Sequence, residues 1–230
     1  MEKLYKLFRL HCEDLLVLTE MEYNGMVFDS KGALEEASSL GERLEELATE
    51  FKCLASNNYV DINSGKHVSA VLYGGSIEET VRVIVGVYKS GKRKGETKYG
   101  NHKITHVFER LVEPLPKTET KRSTKAQANG DKLVASEWSV KEDVLRKLKA
   151  KKDVKKILDV ILEYRELVTL KVKFLSGWPA LMEEKKWKKD MIHGSLNQCR
   201  VVTGRLSSDK PNVQQADKRT KKYLISRYDY

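Results

Sequence analysis

Residues 201–215, VVTGRLSSDKPNVQQ, gather one arginine, two serines, an asparagine and two glutamines around a glycine and a single proline. Gly204 on one side and Ser207-Ser208 on the other make the backbone compact, so Arg205 projects as a fixed guanidinium among short hydrogen-bonding groups. Such an arginine can reach a base edge or a sugar in the shallow minor groove, while serine hydroxyls and backbone amides take the phosphates. Asn212, Gln214 and Gln215 donate and accept at once, which suits contact without sequence preference. The same composition also suits a polar loop that hydrogen-bonds to itself, and the residue types leave both readings open.

A second set of candidates is basic. Val154, Ile157, Leu158, Ile161 and Leu162 recur at helical spacing, and Lys151, Lys152, Lys155 and Lys156 fall largely outside that stripe. A helix with one dry face and one basic face fits a clamp on a phosphate backbone; it equally fits a solvated surface. Other chemistries find little support. The scattered acids of residues 1–50 lie mostly at solvent-face spacing, and no Asp-x-Asp or His-x-Glu cluster stands elsewhere. No catalytic residue and no metal ligand is therefore assigned. Neither LYGGS nor GKRKG has the glycine-lysine-serine/threonine spacing of a phosphate-cradling loop. Cys12 lies within an amphipathic period, and His193 precedes a glycine in a predicted strand, where a structural role is the simpler reading.

Charge supports a polyanionic partner. The formal net charge is +10, and residues 1–50 hold 5 basic against 12 acidic residues while the rest hold 38 against 21. A basic balance on that scale points to nucleic acid ahead of membrane, with a merely solvated lysine-rich surface as the alternative. The N-terminus carries a charge every few residues, so neither a signal peptide nor a membrane span fits, and the expectation is a soluble, cytoplasmic protein. Cys12, Cys53 and Cys199 have no partner at a metal-ligand spacing and read as buried or incidental thiols.

The elements that must position these residues form an α+β chain. The periodicity predicts a helix over 2–23 ending at Gly25, an extended MVFD, and a second helix over about 31–51 capped by Asp29 or Ser30. Leu34, Leu40, Leu44, Leu47 and Phe51 mark the apolar side of that second helix. A third helix over 65–73 follows the cap candidates Asn63 and Ser64. TVRVIVGVYK and KITHVFERL, separated by a glycine-punctuated basic run, predict a long hairpin over 80–110. Residues 112–137 read as a mobile linker. Ser139 with Glu142 forms a capping box that starts a helix at Val140, and short strands follow from Met191.

HGSLNQCRVVTGRLSSDKPNVQQ resembles the segment of family A DNA polymerases whose hallmark is TGRLSS followed by a PN-x-Q run. LTEMEYNGMVFD at 18–29, DINSGKHVSAVLYGG at 61–75, ILEYRELVTLKVKFLSG at 161–177 and KKYLISRYDY at the end extend the likeness in order. The strands VRVIVGVYKSGKRKGETKYG look like the bacteriophage branch. The resemblance implies a helix opening the polymerase domain over 1–29, a mainly helical thumb over 30–186 with a basic hairpin and loop insertion over about 80–137, and the first strands of a palm over 187–230. It implies that Arg205 contacts primer-template DNA near the growing end, with Thr203, Gly204, Ser207, Ser208, Asn212 and Gln214 around it. Gln215 departs from the asparagine usual in the family. The resemblance also implies a chain that begins where the polymerase domain begins and stops before the first palm motif that holds magnesium; Asp229 precedes that motif and is no ligand. Mg2+ is then expected only in a completed polymerase, with a second polypeptide supplying the rest of palm and fingers. The alternative is a non-catalytic DNA-binding remnant or accessory protein.

Overall fold

The computed structural model describes residues 2–87, 91, 95–116, 118, 138–198 and 200–226. Most of the 112–137 linker, the centre of the basic run between the hairpin strands, Cys199 and Asp229 lie outside these residues. The architecture is α+β, in two compact units: Met1–Leu44 with Arg165–Tyr230, and Glu45–Tyr164.

The first unit begins with α1 (Glu2–Asn24), which ends where Gly25 takes a φ of 62°. The expected amphipathic helix forms, but its apolar stripe is not covered: no residue of α1 is buried, and Leu4, Phe8 and Leu16 are 70%, 66% and 73% exposed. Cys12 is exposed with them, as is Cys53 in the other unit. Strand β1 (Met26–Phe28) follows and becomes the middle of a three-stranded antiparallel sheet. Val27 pairs on one side with Met191 of β4 (Met191–Ile192) and on the other with Ile225 of β7 (Leu224–Ile225). The strand is short because Asp29 turns the chain: its Oδ1 accepts from the Gly32 amide at 3.0 Å and caps α2 (Ser30–Leu54). The buried stripe of α2 runs through Ala33, Ala37, Leu47 and Phe51, whereas Leu34, expected inside, is 48% exposed. It stands one position beyond the three-and-four spacing set by the two alanines.

Helix α5 (Lys152–Thr169) continues into a π-helical segment, Leu170–Leu175, and then α6 (Gly177–Glu184). Leu170, Phe174, Leu175, Trp178 and Met182 bury against Phe28, Ile192 and Tyr223 to make the core of this unit. Trp178 stands edge-on to both Phe28 and Phe174, with ring centroids 5.3 and 5.5 Å apart.

The second unit takes most of its buried side chains from the end of α2, from α3 (Gly65–Tyr73) and from α5, with Val60, Ile62 and Leu145 adding to them from between these helices. Helix α3 starts as expected, with the Ser64 hydroxyl accepting from the His67 amide. Strands β2 (Gly75–Val87) and β3 (Thr97–Phe108) form the hairpin, which begins five residues earlier than the sequence pattern indicates. The capping box does not form. Helix α4 (Glu142–Leu145) is a single turn with Lys141 as its cap residue. Ser139 Oγ accepts from the Lys141 amide instead, and Glu142 turns outward to Arg146 at 2.7 Å. The Ser139 backbone is already engaged, its amide with the Thr118 carbonyl and its carbonyl with the Tyr73 hydroxyl. On α5, Val154, Ile157, Leu158 and Ile161 are buried as expected. No helix among the described residues is long and apolar enough to cross a membrane.

One polar cluster ties α2 to the end of the chain. The Glu36 carboxylate accepts from Lys222 Nζ at 2.7 Å and from the Tyr223 hydroxyl. Burial works to raise its pKa, but the two hydrogen bonds and the positive charges of Lys222 and Arg219 hold it below the ordinary glutamate range. Folding therefore favours the carboxylate. Its stabilisation is complete above about pH 4.3, the unfolded value, and is lost as pH falls through the lower folded value. Glu36→Gln should cost about 1 kcal/mol at pH 7. The gap to the unaltered protein should narrow as urea denaturation is repeated at successively lower pH below the ordinary glutamate range.

Candidate nucleic-acid interface

The TGRLSS stretch sits on a small hairpin. Strand β5 (Ser195–Asn197) pairs with β6 (Ser207–Asp209) in the register Ser195↔Asp209, Leu196↔Ser208 and Asn197↔Ser207. The connecting loop turns at Gly204, whose φ of 71° is a left-handed conformation with open space around it. Its amide closes the turn onto the Val201 carbonyl at 2.9 Å.

Two arginines of this loop have different surroundings. Arg200 Nη1 lies 2.6 Å from Asp209 Oδ2, and Asn197 Nδ2 donates to Asp209 Oδ1 at 3.3 Å. The bonds from Arg200 and Asn197 hold the Asp209 carboxyl below its ordinary range. Arg205, beyond the turn, is exposed together with Thr203 and Gly204.

The serines behave differently from the phosphate donors expected of them. Ser208 is buried and its hydroxyl donates to the Pro211 carbonyl at 3.3 Å, while Ser207 Oγ donates to the Asn197 carbonyl at 3.4 Å. Both hydroxyls thus brace the hairpin and the turn after it. Asn212 leads into a 3-10 turn, Val213–Gln215. Its Oδ1 is buried without a donor among the described residues. Gln214 is exposed, and Gln215 Oε1 accepts from Lys173 Nζ of the π-helical segment at 2.6 Å. The sequence contains no signal for that last contact, because the register of a π turn is not visible in an apolar period.

The hairpin is set against α1. The Glu22 carboxylate accepts the Leu196 amide, and the Glu22 carbonyl accepts from His193 Nδ1 at 2.8 Å. His193 therefore has the structural place expected of it. A cavity of about 370 Å³ lies between the two elements, lined by His11, Asp14, Gln198, Gly204 and Leu206 among others. In the other unit, Lys151 just before α5 and Lys152, Lys155 and Lys156 on its polar side are all exposed.

Among the described residues no three His, Cys, Asp or Glu side chains converge. No catalytic step is assigned to them.

The sequence model of DNA polymerase family A matches residues 109–227, just over half of the chain. The chain belongs to this family. DNA polymerase I of Chloroflexus aurantiacus is 26% identical over 214 residues, covering 93% of this chain and 17% of that protein. DNA polymerase I of Bacillus subtilis is 27% identical over 200 residues, covering 86% and 16%. The thermostable DNA polymerase I of Thermus thermophilus is 41% identical over 73 residues, 32% of this chain and 8% of that one. The chain thus spans less than a fifth of the length of these family A relatives. A solved structure, the POL domain of Pol1 from M. smegmatis in complex with DNA primer-template and dNTP, superposes with a TM-score of 0.52 at 20% identity. It covers 89% of this chain and 26% of that one, and shows the likeness of fold.

Gly25 is the point through which α1 holds the hairpin. A Cβ there would stand 2.7 Å from the His193 ring and 2.8 Å from the Ile192 carbonyl oxygen, at a backbone angle that L side chains rarely adopt. Gly25→Ala should cost about 2 kcal/mol or more in urea denaturation. It should also displace the His193 ring from the Glu22 carbonyl, which the His193 imidazole resonances report in NMR.

Proposed function

We propose that this chain is the thumb and the start of the palm of a template-directed DNA polymerase, that it grips primer-template DNA, and that it needs a second polypeptide for synthesis. In this reading residues 1–29 open the polymerase domain, 30–186 form the thumb with its inserted hairpin, and 187–230 begin the palm. The observation that carries it is the exposed Arg205 on a braced hairpin, inside the stretch matched by the family model. A guanidinium held by a rigid turn can enter the minor groove beside Thr203 and Gly204, with Asn212 and Gln214 close in the chain. Lys151, Lys152, Lys155 and Lys156 add phosphate contacts from a surface that buries none of their charge. Ser207 and Ser208 act here by shaping the hairpin, and Gln215 by its bond to Lys173.

The requirement for a partner is supported by the uncovered apolar residues of α1, which a completing polypeptide can bury. Magnesium belongs to that completed enzyme. The relatives above are bacterial, so the phage affiliation suggested by the inserted strands draws no support from them.

Arg205→Ala should weaken primer-template binding by about 1–3 kcal/mol, more than Lys152→Ala, because a groove arginine in fixed geometry contributes more than one exposed phosphate contact. Fluorescence anisotropy at several salt concentrations measures both, and equal losses would reduce Arg205 to an ordinary surface charge. Primer extension tests the rest. The chain alone with magnesium should incorporate no nucleotide, and addition of a polypeptide carrying the remaining palm and fingers should restore synthesis. Extension by the chain alone overturns the two-chain reading. Failure of the pair to associate supports a non-catalytic accessory role.

A further inference from the structure

Strands β2 and β3 make a two-stranded ribbon that leaves the body of its unit. Its base is fixed. Ile77 is buried, His106 bonds to Glu79 at 2.8 Å and to Asn57 at 3.1 Å, and the Tyr59 ring stacks on His106 at 5.2 Å. Beyond Thr80 the character changes. Arg82, Val83, Ile84 and Val85 on one strand and Lys98, Tyr99, Asn101 and Lys103 on the other are exposed. A bare two-stranded ribbon is marginal in water, so one of this length with an uncovered distal half calls for an occupant.

The charges say which. The acids Glu78, Glu79 and Glu109 belong to the base, where Glu78 pairs with Lys103 at 2.7 Å and Glu79 with His106. From Arg82 through Lys103 the sequence contains seven basic residues and one acid, Glu96. The ladder register sets Thr80 opposite Lys103 and Arg82 opposite Asn101, so one face presents a hydroxyl, an amide and two cations, of which Lys103 stands in an exposed pair with Glu78 that costs little to exchange for a phosphate. The Arg82 guanidinium lies 4.3 Å from the centroid of the Tyr99 ring, which holds it on that face. The bulge at Val85 increases the local twist of the ribbon. A twisted antiparallel ribbon of this width enters the major groove of duplex DNA, and its cations reach the phosphates on either side.

We propose that the distal β2–β3 ribbon is a second DNA-binding element, engaging duplex DNA through Arg82, Asn101 and Lys103 on one face and Lys98 at its rim. It acts independently of the Arg205 hairpin, and it rests on the reading that this chain binds DNA. The two involve different residues, so each can fail alone.

The test uses the full chain and a fluorescein-labelled duplex of about 30 base pairs. Arg82→Ala/Lys98→Ala/Lys103→Ala should weaken binding roughly tenfold near 0.1 M salt and reduce the slope of log affinity against log salt by roughly 2 to 3. Arg205→Ala is measured beside it. Should only Arg205→Ala matter, the ribbon proposal falls and the proposed function stands; should only the ribbon variant matter, the reverse holds. No binding by the unaltered chain sinks both. Lysine acetylation footprinting of the unaltered protein covers the case in which the triple variant misfolds. Lys98 and Lys103 should be protected by saturating duplex, and equal labelling with and without DNA overturns the proposal. Protection by anionic vesicles but not by duplex overturns it in favour of a membrane surface.

Discussion

Everything in the first unit depends on Met26–Phe28. These three residues are the only strand of their sheet with a neighbour on both sides, and those neighbours come from the last forty residues of the chain. Bringing such distant segments together costs loop-closure entropy before any contact returns it. Phe28 supplies the return. Its side chain is fully buried against Trp178 and Tyr223, and the backbone amides at Phe28 and Asp29 reach the carbonyls of Asp190 and Tyr223 at 2.9 and 2.8 Å. The sheet is small in hydrogen bonds and large in aromatic burial. The chain on either side of β1 then has fixed directions, α1 leaving through Gly25 and α2 through the Asp29 cap.

The hairpin inherits its position from that arrangement. Strand β4 continues through His193 and Gly194 into β5, so pairing Met191 with Val27 also delivers Leu196 to the Glu22 carboxylate. Within the hairpin, chemistry is divided between two arginines of the same loop. Arg200 is neutralised by Asp209, and the pair holds the strand ends together from outside. Arg205 stands past the turn, where the hairpin carries it into solvent. A charge left exposed in this way adds little to stability, so its placement matters for what it can meet.

How much of this was legible in the sequence follows from how local each cause is. Helix α3 could be bounded to the residue, because Ser64 and Gly74 act within one turn of the ends they set. The Asp29 cap was visible for the same reason. The capping box at Ser139 was not realised, because distant groups already take its backbone: the Tyr73 hydroxyl bonds the carbonyl that would accept the first helical bond, and the Thr118 carbonyl takes the amide that Glu142 would have capped. Leu34 and the apolar stripe of α1 show the other limit: period gives the side of a helix but not whether anything covers it. The candidate site divides along the same line. The exposure of Arg205 follows from its glycine turn, whereas the burial of Ser208 depends on the register of β5 against β6 and on the approach of Pro211.

Gln215 shows how a departure from a family pattern can have a local physical reason. The resemblance to family A leads one to expect asparagine at this position, and its amide would end one methylene sooner. Here the longer side chain reaches Lys173 Nζ at 2.6 Å, on a segment where the helix widens to a π turn. The widening rotates Lys173 relative to the α-helical course of α5, and it sets Phe174 in the core while its neighbour points to the 3-10 turn. Lys173 also lies 5.2 Å from the centroid of the Phe174 ring, so its ammonium is held between a ring face and an amide oxygen. The glutamine, the π turn and the buried phenylalanine are thus one arrangement. An asparagine at 215 would leave the lysine amine without this acceptor, and the run from Pro211 to Gln215 would keep only its apolar hold, Val213 packed on the cluster of Leu170 and Phe174.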